Sequence, residues 1–188
     1  KIGSTSVAMG DVDGDGDLDI YVANYGEISV LRSGGSVSVR TINGKQVVTG
    51  RYANRIRIIG GDMVEVGEPD FLYFNDGSGN FTKVDWTGGN WLDETGKPIK
   101  KEFWDLGLSV MIRDVNQDGR PDIYVCNDFQ TPDRFWINLG DGKFRLIGEM
   151  ALRHRSYFAM AVDFADINRD GHDDVFVADM MSPTHLLE

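Results

Sequence analysis

The stretch Asp11-Val12-Asp13-Gly14-Asp15-Gly16-Asp17-Leu18-Asp19, running directly into Ile20-Tyr21-Val22-Ala23, decides how this chain is read. The same design returns at 114–122 as DVNQDGRPD before Ile123-Tyr124-Val125-Cys126. It returns again at 166–174 as DINRDGHDD before Val175-Phe176-Val177-Ala178. Oxygen side chains at loop positions 1, 3, 5 and 9 form a donor set for a hard cation, and a glycine at position 6 permits a sharp turn. The donors are Asp11, Asp13, Asp15 and Asp19, then Asp114, Asn116, Asp118 and Asp122, then Asp166, Asn168, Asp170 and Asp174. Position 7 drifts through Asp17, Arg120 and His172. An arginine side chain cannot ligate a cation, so this position is expected to offer its backbone carbonyl. The expectation is about three Ca²⁺ sites within an architecture of stacked repeats.

Two other calcium loops fail the pattern. An EF-hand needs a glutamate at position 12 and flanking helices. Position 12 here is Val22, Val125 and Val177, each inside a β-branched, aromatic-rich run of strand character. Thrombospondin-like calcium repeats need a cysteine framework, and this chain has one Cys. Glycines and acidic residues also favour turns without any metal, which is the plain alternative for a single loop.

The three loops carry nearly all of the net charge of −11, and three bound dications would bring it to −5. The acidity therefore reads as a ligand set. No basic stripe suggests a nucleic-acid partner, and no apolar run approaches the ~20 residues of a membrane span. Hydrophobic residues at 41% and charged ones at 26% are an ordinary globular mixture. Cys126 sits in an apolar run and reads as a small core hydrophobe. The chain begins at Lys1 rather than Met, which leads us to expect that an N-terminal portion has been removed or omitted. Weak sites of this kind fill where calcium is roughly millimolar, outside the cell. One sequon, Asn80-Phe81-Thr82, is a match expected by chance at this length.

A second motif alternates with the first. Leu72-Tyr73-Phe74-Asn75-Asp76-Gly77-Ser78-Gly79-Asn80-Phe81 returns as Phe135-Trp136-Ile137-Asn138-Leu139-Gly140-Asp141-Gly142-Lys143-Phe144, a tight hairpin with left-handed positions. Short inner strands precede the loops at Ser6–Met9, Ser109–Ile112 and Ala161–Phe164. Each unit is then strand, acidic loop, strand, followed by strand, glycine turn, strand: one four-stranded antiparallel β-propeller blade. The apolar runs beside each loop suit strands buried on both faces, with Met9, Met111, Met160, Tyr21, Tyr124 and Phe176 as blade core. The fold class is all-β, and the chain reads as a partial propeller over 1–188. Repeat 1 covers about 1–84, repeat 2 about 105–148 and repeat 3 about 156–188. The third is incomplete, since its hairpin should begin near His185–Glu188, and about two and a half to three repeats imply a larger propeller. The extra sequence at about 27–66 carries two β patterns, around Asn43-Gly44 and around Gly60-Gly61. It reads as β-hairpins inserted into the first blade, or as a degenerate blade without its metal loop. A longer segment, Asp85–Trp104, holds Trp86, Trp91 and Trp104, either as buried anchors or as exposed stacking platforms.

The three loop-strand segments resemble the FG-GAP repeats of integrin α-subunit propellers, and more closely the bacterial FG-GAP/VCBS-type repeats shared with the cartilage acidic protein family. The resemblance covers all three units outside 27–66. It implies a calcium-stapled propeller that is extracellular, on a cell surface or periplasmic, and usually engaged in adhesion or ligand binding. A protein or glycan ligand and the remaining blades, or other copies, are the partners it implies. Integrin function itself is not supported.

The residues favour a non-catalytic binding module with structural calcium. A part of a secreted enzyme such as a polysaccharide-acting lyase is the alternative from another class, since similar propellers occur in such enzymes. A lectin-like glycan binder using the tryptophans is a further one. No nucleophile elbow, zinc-ligand spacing or phosphate-cradling glycine loop is visible.

Overall fold

The computed structural model describes residues 3–26, 30, 34–59, 61–128, 131–148, 156 and 158–180. The hairpin expected near 185–188, and parts of the expected insertion, lie outside them. Fifteen strands are described. The first blade is the antiparallel sheet β1 (Ser4–Gly10), β2 (Asp19–Asn24), β7 (Phe71–Asn75) and β8 (Phe81–Lys83). The second is β10 (Gly107–Arg113), β11 (Asp122–Asn127), β12 (Arg134–Gly140) and β13 (Lys143–Leu146), with β9 (Trp91–Leu92) added parallel to β13. The third blade is described as the pair β14 (Ala159–Ala165) and β15 (Asp174–Asp179). The chain is thus all-β, built of propeller-type blades.

Each acidic loop joins the first two strands of its blade and is closed by the same register: Gly10 opposite Asp19, Arg113 opposite Asp122, Ala165 opposite Asp174. The inner strand of every blade also carries a register irregularity at one place, between Ser4 and Ser6, Gly107 and Ser109, and Ala159 and Ala161. Three copies of one irregularity mark it as part of the repeat rather than a local defect.

Alternation along β11 explains how the blades stack. All six of its residues are buried. Ile123 and Val125 join the core shared with the first blade, alongside Tyr21, Leu72, Trp136 and Phe144. Tyr124 and Cys126 point the other way, into a cluster with Phe135, Ala159, Val162 and Phe164. A continuous apolar run is what a strand covered on both faces requires. The same alternation leaves Met9, Met160 and Phe176 exposed, at 55%, 42% and 62%. Among the described residues these three are not core, because they lie on the outward faces of the first and third blades, which no described residue covers.

The segment 85–104 belongs to the core of the second blade. Trp86 and Trp91 are buried and stacked with ring centroids 4.4 Å apart, and Trp91 also meets Trp136 at 4.8 Å and Phe144 at 5.0 Å. Neither is a stacking platform for a ligand, since two large indoles gain more by leaving water together. Trp104 is half-buried beneath Arg57, and its Nε1 donates to Glu102 at 2.9 Å.

Between β2 and β7 the chain forms two separate hairpins, β3 (Ser38–Ile42) with β4 (Lys45–Thr49) and β5 (Ile56–Ile59) with β6 (Asp62–Glu65). Asn43 and Gly44 turn the first with φ of 50° and 76°, the left-handed pair that a two-residue hairpin needs. An Arg55–Glu65 ion pair at 3.1 Å braces the second.

The blades are also laced by polar contacts. Thr5 Oγ1 donates to the Gly107 carbonyl at 2.7 Å, and Asn138 Nδ2 donates to the Val12 carbonyl of the first loop at 2.8 Å. Arg113 pairs with Asp173 at 2.6 Å, and Gln117 Nε2 donates to the Gly171 carbonyl of the third loop. Asn138 is fully buried and also serves the half-buried Pro121 carbonyl, so Asn138→Ala leaves that acceptor and the buried Val12 carbonyl without their donor. Chemical denaturation should show a loss of about 2–4 kcal/mol for Asn138→Ala, set by those unsatisfied groups. Asn75→Ala, at the half-buried equivalent in the first blade, should cost less.

Candidate metal centre

All three loops share one hydrogen-bond frame. The position-5 amide donates to the position-3 oxygen: Asp15 to Asp13 at 3.2 Å, Asp118 to Asn116 at 3.0 Å, Asp170 to Asn168 at 2.9 Å. The position-6 glycine amide donates to Oδ2 of position 1: Gly16 to Asp11, Gly119 to Asp114, Gly171 to Asp166, at 3.1, 2.8 and 2.9 Å. The position-7 amide donates to Oδ1 of position 5 in each copy. Gly16, Gly119 and Gly171 have φ of 96°, 83° and 87°, in open space, so backbone conformation rather than crowding demands glycine there. Position 4 is left-handed too, through Gly14 at 84°, Gln117 at 60° and Arg169 at 63°. Sequence reasoning missed this in the last two loops, where no glycine marks it.

The ninth aspartate differs from the others. Asp19 and Asp122 are fully buried, and each uses both oxygens on backbone amides. Asp19 accepts from Val12 at 2.9 Å and Asn75 at 2.9 Å; Asp122 accepts from Val115 at 3.2 Å and Asn138 at 2.8 Å. Asp174 accepts likewise from Ile167 at 3.1 Å. Burial pushes the carboxyls of Asp19 and Asp122 above the usual range, opposed by these amides. The asparagine that meets this carboxylate completes the junction: Asn75 Nδ2 donates to the Leu18 carbonyl, and Asn138 Nδ2 to that of Pro121. The two sequence motifs are therefore one unit in space.

Carboxylate oxygens of Asp11, Asp13 and Asp15 all lie within 4.8 Å of one another. Two oxygens held at about 2.4 Å from one Ca²⁺ can stand at most about 4.8 Å apart, so the triad meets the spacing that sharing one cation requires. Partial burial raises Asp13, and the charges of Asp19, Asp15 and Asp11 add to the rise, a repulsion that a cation would relieve. In the other two loops an asparagine stands at position 3, and its amide donates to Oδ2 of position 5 at 3.0 Å in both. Asn116 and Asn168 then present Oδ1 as the donor. The Asp17 and Arg120 side chains turn toward their blade's own hairpin. Arg120 donates to the Asn138 carbonyl at 3.1 Å and pairs with Asp118, while a Cβ on Gly77 would clash with Asp17 Oδ2. His172 is exposed, and its amide holds Asp170 below the usual carboxylate range.

A second buried carboxylate in each full blade was not foreseen. Asp70 Oδ2 accepts from Tyr21 Oη at 2.9 Å and its Oδ1 from the Asn24 amide at 2.7 Å; Asp133 does the same for Tyr124 and Asn127, at 2.8 Å each. Asn24 and Asn127 also donate to the Pro69 and Pro132 carbonyls at 2.8 Å. The repeated Pro-Asp ahead of the third strand was the signal that could have found it. Burial, with the nearby Asp105 charge adding to it, pushes Asp70 up to about 7.

A carboxyl raised in the folded state holds its proton where the unfolded chain has released it. Its contribution to stability is therefore largest at low pH, and falls as pH climbs from about 4 to about 7. Melting at saturating calcium should show Asp70→Asn lacking this downward slope relative to the parent over that interval. Parallel curves would contradict the assignment.

The blades, loop-borne carboxylates and repeated junctions define a repeat module of the β-propeller type. The FG-GAP repeat family matches residues 4–39, and the FG-GAP-like repeat family matches residues 114–177. The chain is an FG-GAP-type repeat protein. No curated protein matches it significantly. Repeats of this type often bind Ca²⁺, are typically non-catalytic, and are typical of extracellular or surface proteins. Among the described residues no helix is long and apolar enough to cross a membrane.

Proposed function

We propose that this chain is a calcium-stapled propeller module of an extracellular, cell-surface or periplasmic protein, acting in adhesion or ligand binding without catalysis. The observation that carries this reading is the shared loop frame, which gathers carboxylates at one end of each blade. Calcium in this reading is structural. Asp11, Asp13, Asp15 and Asp19, with Asp114, Asn116, Asp118 and Asp122 and with Asp166, Asn168, Asp170 and Asp174, would hold it, and the carbonyls of Asp17, Arg120 and His172 would complete the set. The cation supplies the positive charge that lets these carboxylates converge.

The gain passes from loop to blade because position 9 ties each loop to its sheet. It passes between blades through Asn138 on Val12 and Gln117 on Gly171. A protein or glycan is the ligand class. The exposed apolar faces holding Val7 and Met9 on one side, and Phe176 on the other, suit further blades or other copies.

Thermal unfolding of the chain in millimolar Ca²⁺ and in EGTA tests the structural role. Linkage gives about 2.7 kcal/mol per site at a hundredfold excess over Kd, or a rise of about 5–10 °C for a chain of this size. Asp15→Ala and Asp118→Ala should each remove part of that rise. Equal melting with and without calcium would overturn the proposal.

A further inference from the structure

The inserted hairpins have the opposite charge to the rest of the molecule. Residues 27–66 hold six basic side chains (Arg32, Arg40, Lys45, Arg51, Arg55, Arg57) against three acidic ones (Glu27, Asp62, Glu65), in a chain whose net charge is −11. Two of the cations are used structurally. Arg55 pairs with Glu65, and Arg57 lies over Trp104 while donating to the Asn54 carbonyl at 2.7 Å. Arg40 and Arg51 have no such task. Both are exposed, and among the described residues neither is paired with a carboxylate.

These two arginines border one open pocket of about 610 Å³ at the base of the first hairpin. Strand alternation puts Ser38 and Arg40 on one face, the paired strand brings Thr49 opposite Ser38, and Ser36 lines the pocket just ahead of the strand. Arg51 and Tyr52 form the far wall, with the guanidinium 5.5 Å from the Tyr52 ring centre. The remaining lining is glycine, and among the described residues no carboxylate lines the space. The volume falls within the range of small-molecule sites, about 300–1,000 Å³. The lining is unlike that of an apolar ligand site: it offers guanidinium forks, hydroxyls and one aromatic ring.

From this arrangement we infer that the insertion is a binding site for an acidic saccharide, a sugar bearing a carboxylate or sulfate group. A guanidinium matches either anion with two parallel hydrogen bonds. Ser36 and Ser38 offer hydroxyl partners for the sugar's own hydroxyls, Thr49 Oγ1, which donates to the Ser38 carbonyl at 3.2 Å, can accept from them, and the Tyr52 ring offers an apolar face for the sugar ring. The chain outside the insertion is net acidic, so the insertion stands as a basic region on an acidic protein. The inference deepens the reading of the chain as a ligand-binding module and rests on it.

The test uses the whole chain at saturating calcium, after its calcium-dependent melting has been measured. Titration calorimetry compares a glucuronate-containing tetrasaccharide, a sulfated tetrasaccharide, the carboxyl-reduced neutral form of the first, and poly-glutamate. Either charged saccharide should bind, and the neutral form should bind at least about tenfold more weakly, the effect of losing one charge-assisted contact. The doubly substituted Arg40→Gln/Arg51→Gln chain should lose the binding by a similar factor while its calcium-dependent melting is unchanged. Equal binding of the neutral form, equal or tighter binding of poly-glutamate, no binding of either charged saccharide, or undiminished binding by the variant would each overturn the inference. Failure here with an intact calcium response leaves the module reading in place. Loss of the calcium response would strike that reading instead.

Discussion

A buried carboxylate at the end of each loop is the constraint on which the blades depend. Asp19 and Asp122 each accept one amide from the start of their loop and another from the third strand of their blade. Burying a charged group is costly unless it is fully hydrogen-bonded. Two backbone amides per carboxylate meet that requirement, and they fix the loop ends and the neighbouring strand together. The loop then has a closed frame inside which the exposed aspartates converge. A cation at those aspartates is coupled to the sheet through one residue.

The second constraint is two-faced burial. In β11, neighbouring side chains enter different cores, so a single strand cements two interfaces. Polar groups reinforce this at the loop end, where Asn138 reaches Val12 of the preceding blade and Arg113 reaches Asp173 of the next. Loop order in one blade is thus felt in its neighbour. Such coupling would give a bound cation leverage far from its own ligands.

Charge divides the molecule into two chemical regions. The loops concentrate carboxylates, whereas the inserted hairpins leave Arg40 and Arg51 around a pocket free of them. Nothing in the blade repeat requires those hairpins, because β2 pairs with β7 regardless of what lies between them. Loops and insertions on a rigid scaffold are where binding function concentrates.

Local chemistry was legible in the sequence. Oxygen donors at fixed spacing, a glycine at position 6, the Asn43-Gly44 turn and β-branched runs each act within a few residues, so their patterns name loops, hairpins and strands directly. Tertiary structure decided what depends on partners tens of residues away. It placed Tyr21 against Asp70, buried Trp86 and Trp91 together, and recruited β9 into the second sheet. It also exposed Met9 and Phe176 while burying Tyr21 and Tyr124. A continuous apolar run gives a strand two apolar faces, and only the arrival of a neighbouring sheet determines which of them leaves water.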